Sequence, residues 1–415
     1  MRLTKRITLI ILSVLLWSAF IGFGFINGFL LKPITLDNSP QGFIEAAKDK
    51  VANEYVGNLA MALIEDGVVV EEYFYDIEGH NIDQNSAFPV ASVSKWVTSV
   101  GVMKLVENGQ IDLDEPIDNY LTRWHLPPGE YDNNKVTVRR LLSHSAGLDD
   151  GLGYNGFTKD ENMQTLEESL TKAADAGSYA EGKARVGYEP GSQYMYSGAG
   201  YALLQLLIEE ISKGSFQKFM QEQVFNPLEM THSSYILSDS TKIGLVPVYR
   251  NDGPTRPMNR FTAKAASSLM TSTSDIAKFM IAQLKGNQVL SDSTIKIMTE
   301  AESFRHDIGI YGLGPHLYSQ DYTDSKIIGH DGSGNDAINS AARIDLLTGD
   351  GIIIFETGNY SYASVLADEW MFREAGIADR VVMERNMPFI ITLLIIGYLL
   401  ITMGAIFLIR KKNLL

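Results

Sequence analysis

The sequence contains no cysteine, which excludes disulfide bonds and lipid attachment through an N-terminal cysteine. Basic residues are scarce relative to acidic ones: 35 Lys and Arg stand against 50 Asp and Glu, and the formal net charge is −15. Lys and Arg form no cluster outside the flanks of two apolar segments. Because nucleic acids are bound by basic surfaces, we expect no nucleic-acid partner.

Metal-binding and nucleotide-binding motifs are missing as well. The histidines are scattered, with no H-E-x-x-H sequence and no carboxylate cluster at ligand spacing, so we expect no metal and no other cofactor. No Gly-x-Ser-x-Gly sequence occurs, which removes the nucleophile of an α/β-hydrolase. Residues 177–183 match the glycine and lysine positions of a phosphate-binding loop. Ala184 replaces the required Ser or Thr, however, and no predicted strand precedes the segment, so we interpret the match as chance.

Two apolar segments near the ends of the chain, at 7–31 and 388–409, carry no charged residue. Each is long enough to cross a bilayer, which takes about 20 apolar residues. The basic residues at their outer flanks are Arg2, Lys5, Arg6, Arg410, Lys411 and Lys412. Because such residues stay on the cytoplasmic side, we predict two transmembrane helices, cytoplasmic tails at 1–6 and 410–415, and everything between the helices on the extracytoplasmic side of the cell membrane.

The first apolar segment has a second interpretation, a cleavable signal peptide. Its apolar stretch is longer than a usual signal core, and no convincing A-x-A cleavage site follows it. We therefore favour an uncleaved anchor. Either form exports the rest of the chain.

The part between the two apolar segments carries clear secondary-structure signals. Alternating apolar and polar residues at 59–76 surround Asp66-Gly67, which predicts a β-hairpin because both turn positions favour positive φ. Helical spacing predicts a helix at 93–106 that ends at Asn108-Gly109. The other predicted elements are helices at 201–211, 275–284 and 361–374 and strands at 326–329, 338–344 and 352–357.

These elements indicate the fold class. Strands lie near both ends of the external part with helices between them, and short turns join the later strands, which implies antiparallel pairing. We predict an α+β fold, with an antiparallel sheet flanked by helices and an all-helical second lobe formed by the middle of the chain. A linker at 32–44 precedes this domain at 45–380.

The first candidate for chemistry is Ser92, which is followed three residues later by Lys95 at the start of a predicted helix. A helix N-terminus favours negative charge developing on the hydroxyl. The i, i+3 spacing places Lys95 on the same face, where it can take the serine proton if burial lowers its pKa. Taken alone, an S-x-x-K sequence is weak evidence, since an ordinary helix cap followed by a solvated lysine gives the same pattern.

Two further motifs follow Ser92 in order: Tyr196-Ser197-Gly198 and the run from His330 to Ser333. Together they resemble the active-site motifs of the serine β-lactamase and penicillin-binding protein superfamily, in particular its class C β-lactamase-like branch. Residues 137–148, 225–230 and 311–314 look like that branch's LLxHxSGL, PLGM and YGLG segments. The resemblance spans roughly residues 45–375 and implies the β-lactamase/transpeptidase-like fold.

The resemblance implies a role for each motif residue. Ser92 forms an acyl-enzyme, and Lys95 and Tyr196 share the proton transfers, with the tyrosine acting as a base only if neighbouring cations stabilise its phenolate. Lys95 is the obvious such cation, and His330 is a possible second one. The backbone N–H groups of Ser92 and Ser333 form the oxyanion hole. Gly332 keeps its strand free of a side chain where substrate lies alongside. His144 is a structural residue in the resembling segment, so we leave it out of the site.

Two departures from the family pattern bear on the substrate. Gly198 stands where penicillin-active members usually have Asn, and His330-Asp331 replaces the first residues of the Lys-Thr-Gly motif that grips a substrate carboxylate. We expect Asp331 to point away into solvent, between residues that face the other side of the strand. Both departures argue against efficient β-lactam hydrolysis.

The sequence therefore predicts a membrane-anchored serine hydrolase that acts on an amide or ester, such as a D-amino-acid peptide from the cell wall, as a DD-peptidase, D-aminopeptidase or esterase does. A true β-lactamase and a non-catalytic cell-wall sensor that keeps the fold remain as alternatives.

Overall fold

The structure is a computed structural model that describes residues 3–52, 57–319, 324–334 and 337–410. The predicted tail at 410–415 lies outside these residues except for Arg410, and Arg2 of the other tail lies outside them too. The described residues form two compact units: Ala47–Ala367 make up one, and those of Met1–Ala46 and Asp368–Leu415 make up the other.

The larger unit is built on an eight-stranded sheet whose order is β2-β1-β12-β11-β10-β9-β8-β7. Every pairing in it is antiparallel. The strands are β1 Asn58–Glu65, β2 Val68–Asp76, β3 Phe88–Pro89, β4 Leu148–Asp149, β5 Arg185–Val186, β6 Met270–Thr271, β7 Ser303–Arg305, β8 Ile308–Tyr311, β9 His316–Leu317, β10 Ile327–Gly334, β11 Ile338–Asp345 and β12 Gly351–Thr357. Two short pairs, β3 with β6 and β4 with β5, lie outside this sheet.

The predicted hairpin is confirmed as β1 and β2. Its turn residues Asp66 and Gly67 have φ values of 51° and 75°, the left-handed conformation that such a turn requires. Strand β1 also pairs with β12, so the first and last strands of the unit are neighbours. The sheet is therefore made from the two ends of the domain sequence, as predicted.

Helices fill the chain between and around these strands. They are α1 Leu3–Ile26, α2 Pro40–Val51, α3 Val93–Glu107, α4 Val138–Leu142, α5 Leu166–Lys172, α6 Gly198–Ser212, α7 Phe216–Met220, α8 Ser240–Ile243, α9 Lys264–Ser267, α10 Thr273–Ile281, α11 Asp292–Met298, α12 Tyr362–Ala375 and α13 Arg380–Arg410. Short 3₁₀ turns cover Ile117–Asn119, Asn133–Lys135 and Leu237–Asp239, and one π-helical turn covers Gln221–Phe225.

Helix α3 lies at the centre of the unit, where it contacts strands β10 and β11 on one side and helices α6 and α9 on the other. Its predicted apolar face is buried, and so are most of its other positions. Trp96 packs edge-on against Phe279 of α10, with the ring centroids 5.0 Å apart. The helix that begins at Ser92 is thus fixed between the sheet and the helical lobe.

The smaller unit contains the two terminal helices, which pack on each other. The Ser18 and Tyr398 hydroxyl oxygens are 2.8 Å apart, and Gly397 leaves room for the Trp17 ring. Both helices are long and apolar enough to cross a membrane. The first ends at Ile26, short of the predicted segment end, because the chain turns at Gly28, where φ is 79°.

Two helix starts differ from the sequence boundaries. Helix α13 begins at Arg380, with Pro388 inside it, and helix α2 begins at Pro40, within the predicted linker. Pro40 is tolerated there because the first position of a helix needs no backbone N–H donor.

Candidate active site

Ser92 immediately precedes helix α3, at the end of a tight turn. Ala91 has a φ of 43°, in the left-handed region that costs a residue other than glycine about 1–2 kcal/mol. The turn is held on both sides: the Val90 N–H donates to the Leu269 carbonyl at 3.0 Å, and the Val90 carbonyl accepts from the Ser340 hydroxyl at 2.8 Å. Nothing in the sequence indicated this strained residue.

Lys95 lies one helical turn further on, with its ammonium nitrogen inside the protein. Its Nζ is 3.2 Å from Ser92 Oγ and 2.7 Å from the carbonyl oxygen of Ala266 in α9. The side chain is almost fully buried, at 3% exposure. The carbonyl can only accept, so it orients one N–H of Lys95 and leaves the rest of the amino group facing the serine.

Burial lowers the pKa of Lys95 from 10.5 to about 7, because the charged form loses its hydration; the nearby Asp150 carboxylate opposes the shift. At neutral pH a large fraction of Lys95 is therefore the free amine. A free amine beside a serine hydroxyl is a general base, which an ordinary solvated lysine is not.

Tyr196 completes the group around Ser92, whose side chain is close enough to the Tyr196 hydroxyl to influence its pKa. Lys95 Nζ lies 4.8 Å from the centroid of the Tyr196 ring. Burial, and to a lesser extent Asp150, raises the pKa of Tyr196, with only the Ser92 side chain acting against it. Neighbouring cations therefore do not stabilise a phenolate here. Tyr196 is a neutral phenol next to a lysine whose pKa is near neutrality.

His144 positions the segment that carries Tyr196. Its Nδ1 accepts the Ser197 N–H at 3.1 Å, and its carbonyl accepts the Met195 N–H at 2.7 Å. Its ring centroid lies 4.3 Å from that of Tyr196. His144 thus supports the site from behind, in agreement with its exclusion from the catalytic residues.

Gly332 lies in the middle of β10, where the strand passes directly beside the Ser92 turn. A Cβ at this position would lie 2.2 Å from the Val90 carbonyl oxygen, 2.4 Å from Ser340 Oγ and 3.0 Å from the Ser92 nitrogen. The space beside Gly332 is therefore filled by the protein's own backbone. The glycine lets strand and turn approach each other, which differs from the expected role of leaving room for substrate.

His330 is buried and does not face solvent, at 1% exposure. Its Nδ1 lies 2.6 Å from the Asp331 carbonyl, so this nitrogen carries the proton, and its Nε2 is 3.1 Å from the Tyr311 hydroxyl. Burial, with His316 and Lys95 nearby, moves the pKa of His330 well below its usual value. His330 is thus a neutral ring behind Tyr196, and the expectation that it helps as a cation is wrong.

Asp331 also differs from expectation, since its side chain is only partly exposed, at 28%, and is held in an ion pair. Its carboxylate accepts two hydrogen bonds from Arg343 on the neighbouring strand, from Nη2 at 2.7 Å and Nε at 3.1 Å, and a third from the Tyr318 hydroxyl at 3.1 Å. Asp331 is paired across the sheet with Ala341, so Arg343 is its diagonal neighbour on the same face. The register between β10 and β11 cannot be obtained from the sequence alone, so the sequence does not predict this ion pair.

Gly198, at the start of α6, faces an aromatic side chain. A Cβ at this position would lie 2.5 Å from Cε2 of Tyr154. The Tyr154 ring thus occupies the space where a residue at position 198 would place its side chain. Its hydroxyl is buried with no hydrogen-bond partner among the described residues. Sequence reasoning missed Tyr154, because its partner is distant in the chain.

Asp150 was missed as well. Its Oδ1 accepts the N–H groups of Gly198 at 3.1 Å and Ala199 at 3.3 Å. The pKa of Asp150 is raised, because partial desolvation outweighs the lowering by Lys95 and these two N–H groups, although the residue is still exposed to solvent. The only signal in the sequence was the acidic pair after residue 148.

These residues surround a cavity of about 240 Å³. Of the six residues that the sequence assigned to the site, Ser92, Lys95, Tyr196 and Ser333 line it, whereas Gly332 and the His330 ring are buried behind it. Asp150, Tyr154, Asn155, Tyr179, Asn259 and Phe261 line the rest of its wall, among others. Within the described parts of the chain, no three His, Asp or Glu side chains are grouped to hold a metal ion.

The chain is similar in sequence and in fold to known proteins. The chain is 32% identical over 156 residues to penicillin-binding protein 4* of Bacillus subtilis, an alignment that covers 38% of this chain and 32% of the relative. The first curated relatives are covered over about a third to 62% of their own length.

Two solved structures illustrate the shared fold. The octameric penicillin-binding protein homologue of Pyrococcus abyssi superposes with a TM-score of 0.65 at 25% identity, over 78% of this chain and 75% of that one. The D-amino acid amidase of Ochrobactrum anthropi SV3, crystallised with L-phenylalanine, superposes with a TM-score of 0.62 at 22% identity, over 80% and 96%.

The family model named Beta-lactamase matches residues 43–373, which include the whole cavity and all of the larger unit. The α+β architecture and the match agree with the resemblance that the motifs indicated. The chain therefore belongs to the beta-lactamase family of serine hydrolases and penicillin-binding proteins.

Proposed function

We propose that this protein is a membrane-anchored serine hydrolase that cleaves an amide or an ester through an acyl-enzyme on Ser92. The observation that carries the proposal is the 3.2 Å contact between Ser92 Oγ and Lys95 Nζ, a buried amine whose pKa is about 7. A nucleophile in contact with a base that is partly unprotonated at neutral pH is the minimum that acyl transfer requires.

Acylation starts from the free amine of Lys95. As Ser92 Oγ forms its bond to the substrate carbonyl carbon, the hydroxyl proton moves to Lys95 Nζ, and the carbonyl π electrons move onto oxygen. The tetrahedral intermediate then breaks the bond to the leaving amine or alcohol, which receives a proton from the Lys95 and Tyr196 pair. Water repeats these steps on the acyl-enzyme and releases the acid, and the proton returns to Ser92 Oγ.

Tyr196 acts in this scheme as a phenol. Its raised pKa keeps the proton on the oxygen, so the hydroxyl both donates hydrogen bonds and relays a proton between Lys95 and the leaving group. In this scheme the N–H groups of Ser92 and Ser333 stabilise the negative charge on the substrate oxygen. The Ser92 nitrogen lies 3.0 Å from the position of a Cβ on Gly332, the residue next to Ser333 in β10. Such a pair of donors is worth several kcal/mol at the transition state.

The substrate is an amide or ester other than a typical penicillin. Gly198 lacks the side chain that contacts the substrate amide in penicillin-active members, and Tyr154 fills the space. The residues at the start of the third motif, His330 and Asp331, supply no cation for a penicillin carboxylate. The charge of the neighbouring Arg343 is paired with Asp331. A D-amino-acid-containing peptide or ester, including cell-wall fragments, suits a relative of penicillin-binding proteins and a D-amino acid amidase.

Activity-based labelling tests the proposal. Membranes that contain the full chain are treated with a fluorophosphonate probe and, separately, with a fluorescent penicillin. We expect fluorophosphonate to label the wild type and not Ser92→Ala, and the penicillin to label it poorly. Ser293→Ala is the matched control, since Ser293 is an exposed serine on α11; it should label like the wild type.

The possible labelling results distinguish the proposed hydrolase from the two alternative functions. Absence of Ser92-dependent labelling by either probe would contradict a catalytic role and favour a non-catalytic cell-wall sensor. Rapid Ser92-dependent penicillin labelling followed by release would instead identify a β-lactamase.

The proposed location is the outer face of the cytoplasmic membrane, with transmembrane helices at 7–31 and 388–409, short tails at 1–6 and 410–415, a linker at 32–44 and the hydrolase domain at 45–380. The support is the length and apolar composition of α1 and α13 and the basic residues beyond them. Protease added to intact spheroplasts should remove the domain and leave epitope tags at both termini protected. Digestion of either tag would overturn this topology.

A further inference from the structure

Asp150 is an acidic side chain inside the candidate active site that the acyl-transfer scheme does not use. It lines the same cavity as Ser92 and Lys95. Two backbone N–H groups at the start of α6 bind its Oδ1, and its Oδ2 makes no hydrogen bond or ion pair with the described residues. One oxygen of the carboxylate is therefore fixed, and the other is available to a ligand.

The charge of Asp150 has no permanent partner in the cavity. Among the described residues that line the cavity, Lys95 is the only Lys or Arg. Because the pKa of Lys95 is about 7, it is uncharged for much of the time in the form that attacks substrate. Desolvation raises the pKa of Asp150, whereas Lys95 and the two N–H donors lower it. The residue is solvent-exposed, so water reaches it and solvates the ionised carboxylate, whose charge acts on Lys95 and Tyr196 beside Ser92.

The walls beside Asp150 suit a cation. Tyr154, Tyr179, Tyr196 and Phe261 line the cavity with aromatic rings, whose faces attract cations. Tyr154 takes the space beside Gly198, so position 198 has no amide side chain that could contact an acylated nitrogen, and the amide side chains in the wall are Asn155 and Asn259. An anion among aromatic rings favours an ammonium group over a neutral amide.

We propose that Asp150 binds a free ammonium group on the acyl part of the substrate, so that the preferred substrates are amides or esters of amino acids whose amino group is unblocked. This inference rests on the proposed acyl-transfer function and adds the substrate class. N-Acylated compounds, including peptides cleaved at an internal bond, lose the charge that Asp150 recognises.

Asp150→Asn isolates the charge, because asparagine keeps an oxygen that can accept the Gly198 and Ala199 N–H groups. The full-length wild type and variant are compared on D-alanine p-nitroanilide and on N-acetyl-D-alanine p-nitroanilide. We expect the wild type to prefer the free amine by at least about tenfold in kcat/KM. In Asp150→Asn the free-amine substrate should lose about 10- to 100-fold, mainly through KM, whereas the N-acetyl substrate should change less than about threefold.

A turnover-independent measurement accompanies the kinetics. Protection of Ser92 from fluorophosphonate is titrated with 1-aminoethylboronic acid and with its N-acetyl derivative, both of which form a reversible bond to an active serine. The wild type should bind the amine form more tightly, and Asp150→Asn should bind the two alike. Asp149→Asn is the matched control: it removes the same charge one residue away, from a carboxylate that pairs with Arg185 at 2.7 Å, and should keep the wild-type preference.

The results separate this inference from the function on which it rests. Ser92-dependent fluorophosphonate labelling without any preference for the free amine would overturn the inference alone. Equal losses on both substrates in Asp150→Asn would also overturn it, since they are what a purely structural role at the start of α6 predicts. Loss of labelling in the wild type would overturn the hydrolase proposal and this inference together.

Discussion

Arg343 and Asp331 form a two-point ion pair across strands β11 and β10, with Nη2 2.7 Å from Oδ2 and Nε 3.1 Å from Oδ1. The arginine is 2% exposed, so its charge is removed from water, and the carboxylate is one of the groups that stabilise it. The guanidinium also lies 4.3 Å from the centroid of the Tyr318 ring. The pair holds the strand that carries Gly332 and Ser333 to its neighbour.

Breaking this pair on one side should destabilise the protein. Because Arg343 would stay buried and lose its two-point contact with a charged carboxylate, we expect Asp331→Asn to lower the free energy of unfolding by about 1–3 kcal/mol, measured by urea denaturation of the full chain in detergent. The Asp331→Asn/Arg343→Met double variant should recover a large part of the loss. Arg185→Met, which removes an exposed ion pair with Asp149, should cost less than about 1 kcal/mol.

The same pair predicts acid sensitivity. Arg343 and the hydrogen bonds lower the pKa of Asp331 below its ordinary 3.8, although burial opposes this. A lowered carboxyl pKa contributes stability that is present above the ordinary value and lost as pH falls through the lowered one. The difference in unfolding free energy between wild type and Asp331→Asn should therefore shrink below about pH 4. A difference that is constant down to pH 2 would contradict this assignment.

The rate should follow the protonation of Lys95. As Lys95 must be the free amine to accept the Ser92 proton, kcat/KM should rise with pH and have a midpoint near its pKa of about 7. Asp150 raises this pKa, so Asp150→Asn should move the midpoint to lower pH. The measurement uses an N-acetylated substrate, which has no titrating amine. Asp149→Asn should leave the midpoint in place, and a midpoint that is unmoved in Asp150→Asn would speak against the electrostatic link.

Gly332 should tolerate no side chain. In Gly332→Ala the new methyl group would meet the Val90 carbonyl at 2.2 Å, so β10 must move away from the Ser92 turn. We expect kcat/KM and the rate of fluorophosphonate labelling to fall at least about 100-fold, since a misplaced oxyanion donor costs about that much. Gly334→Ala is the control, because the nearest atom to its Cβ would be at 3.5 Å. Equal activity of the two variants would show that this close approach does not matter.

Gly198 and Tyr154 should behave as a coupled pair. Gly198→Ala places a methyl group 2.5 Å from the Tyr154 ring, and we expect it to cost about 1–3 kcal/mol in unfolding free energy. Tyr154→Ala leaves a cavity and is also destabilising, but when the tyrosine is replaced the methyl group of Gly198→Ala has room. The loss of unfolding free energy in the double variant should thus be smaller than the sum of the two single losses by about 1 kcal/mol or more. Simple additivity in this double-mutant cycle would place the two residues out of contact.

The fold could be predicted from the sequence where signals are local. Asp66-Gly67 identified the first hairpin, and apolar spacing identified the helix after Ser92, because turn chemistry and periodicity act over a few residues. The sequence did not reveal strands β7, β8 and β9, each of which has only two to four residues and gains its identity from the neighbouring β10. Helix α2 was likewise missed, because its first residues lie in the segment that was predicted to be a linker.

The site could be predicted only in part, for a similar reason. Ser92, Lys95 and Tyr196 fall in recognisable motifs, and the structure brings all three to one cavity. Asp150 and Tyr154 carry no motif, and their relation to Gly198 depends on a loop that returns to the start of α6. The cationic role expected for His330 was wrong and the ion pair of Asp331 with Arg343 was missed, because both depend on burial and on strand register, which a single sequence does not contain.

By itself the sequence determined the family, since several motifs occur in the order that the family shows, and it determined the apolar segments that suit a membrane. Only the tertiary structure decided the protonation of the candidate active site and the shape of its surroundings. Burial among distant elements lowers the pKa of Lys95, keeps Tyr196 a phenol and His330 neutral, and places Asp150 in the cavity. Desolvation and the field of neighbouring charges arise from packing, and packing joins residues that are far apart in the chain.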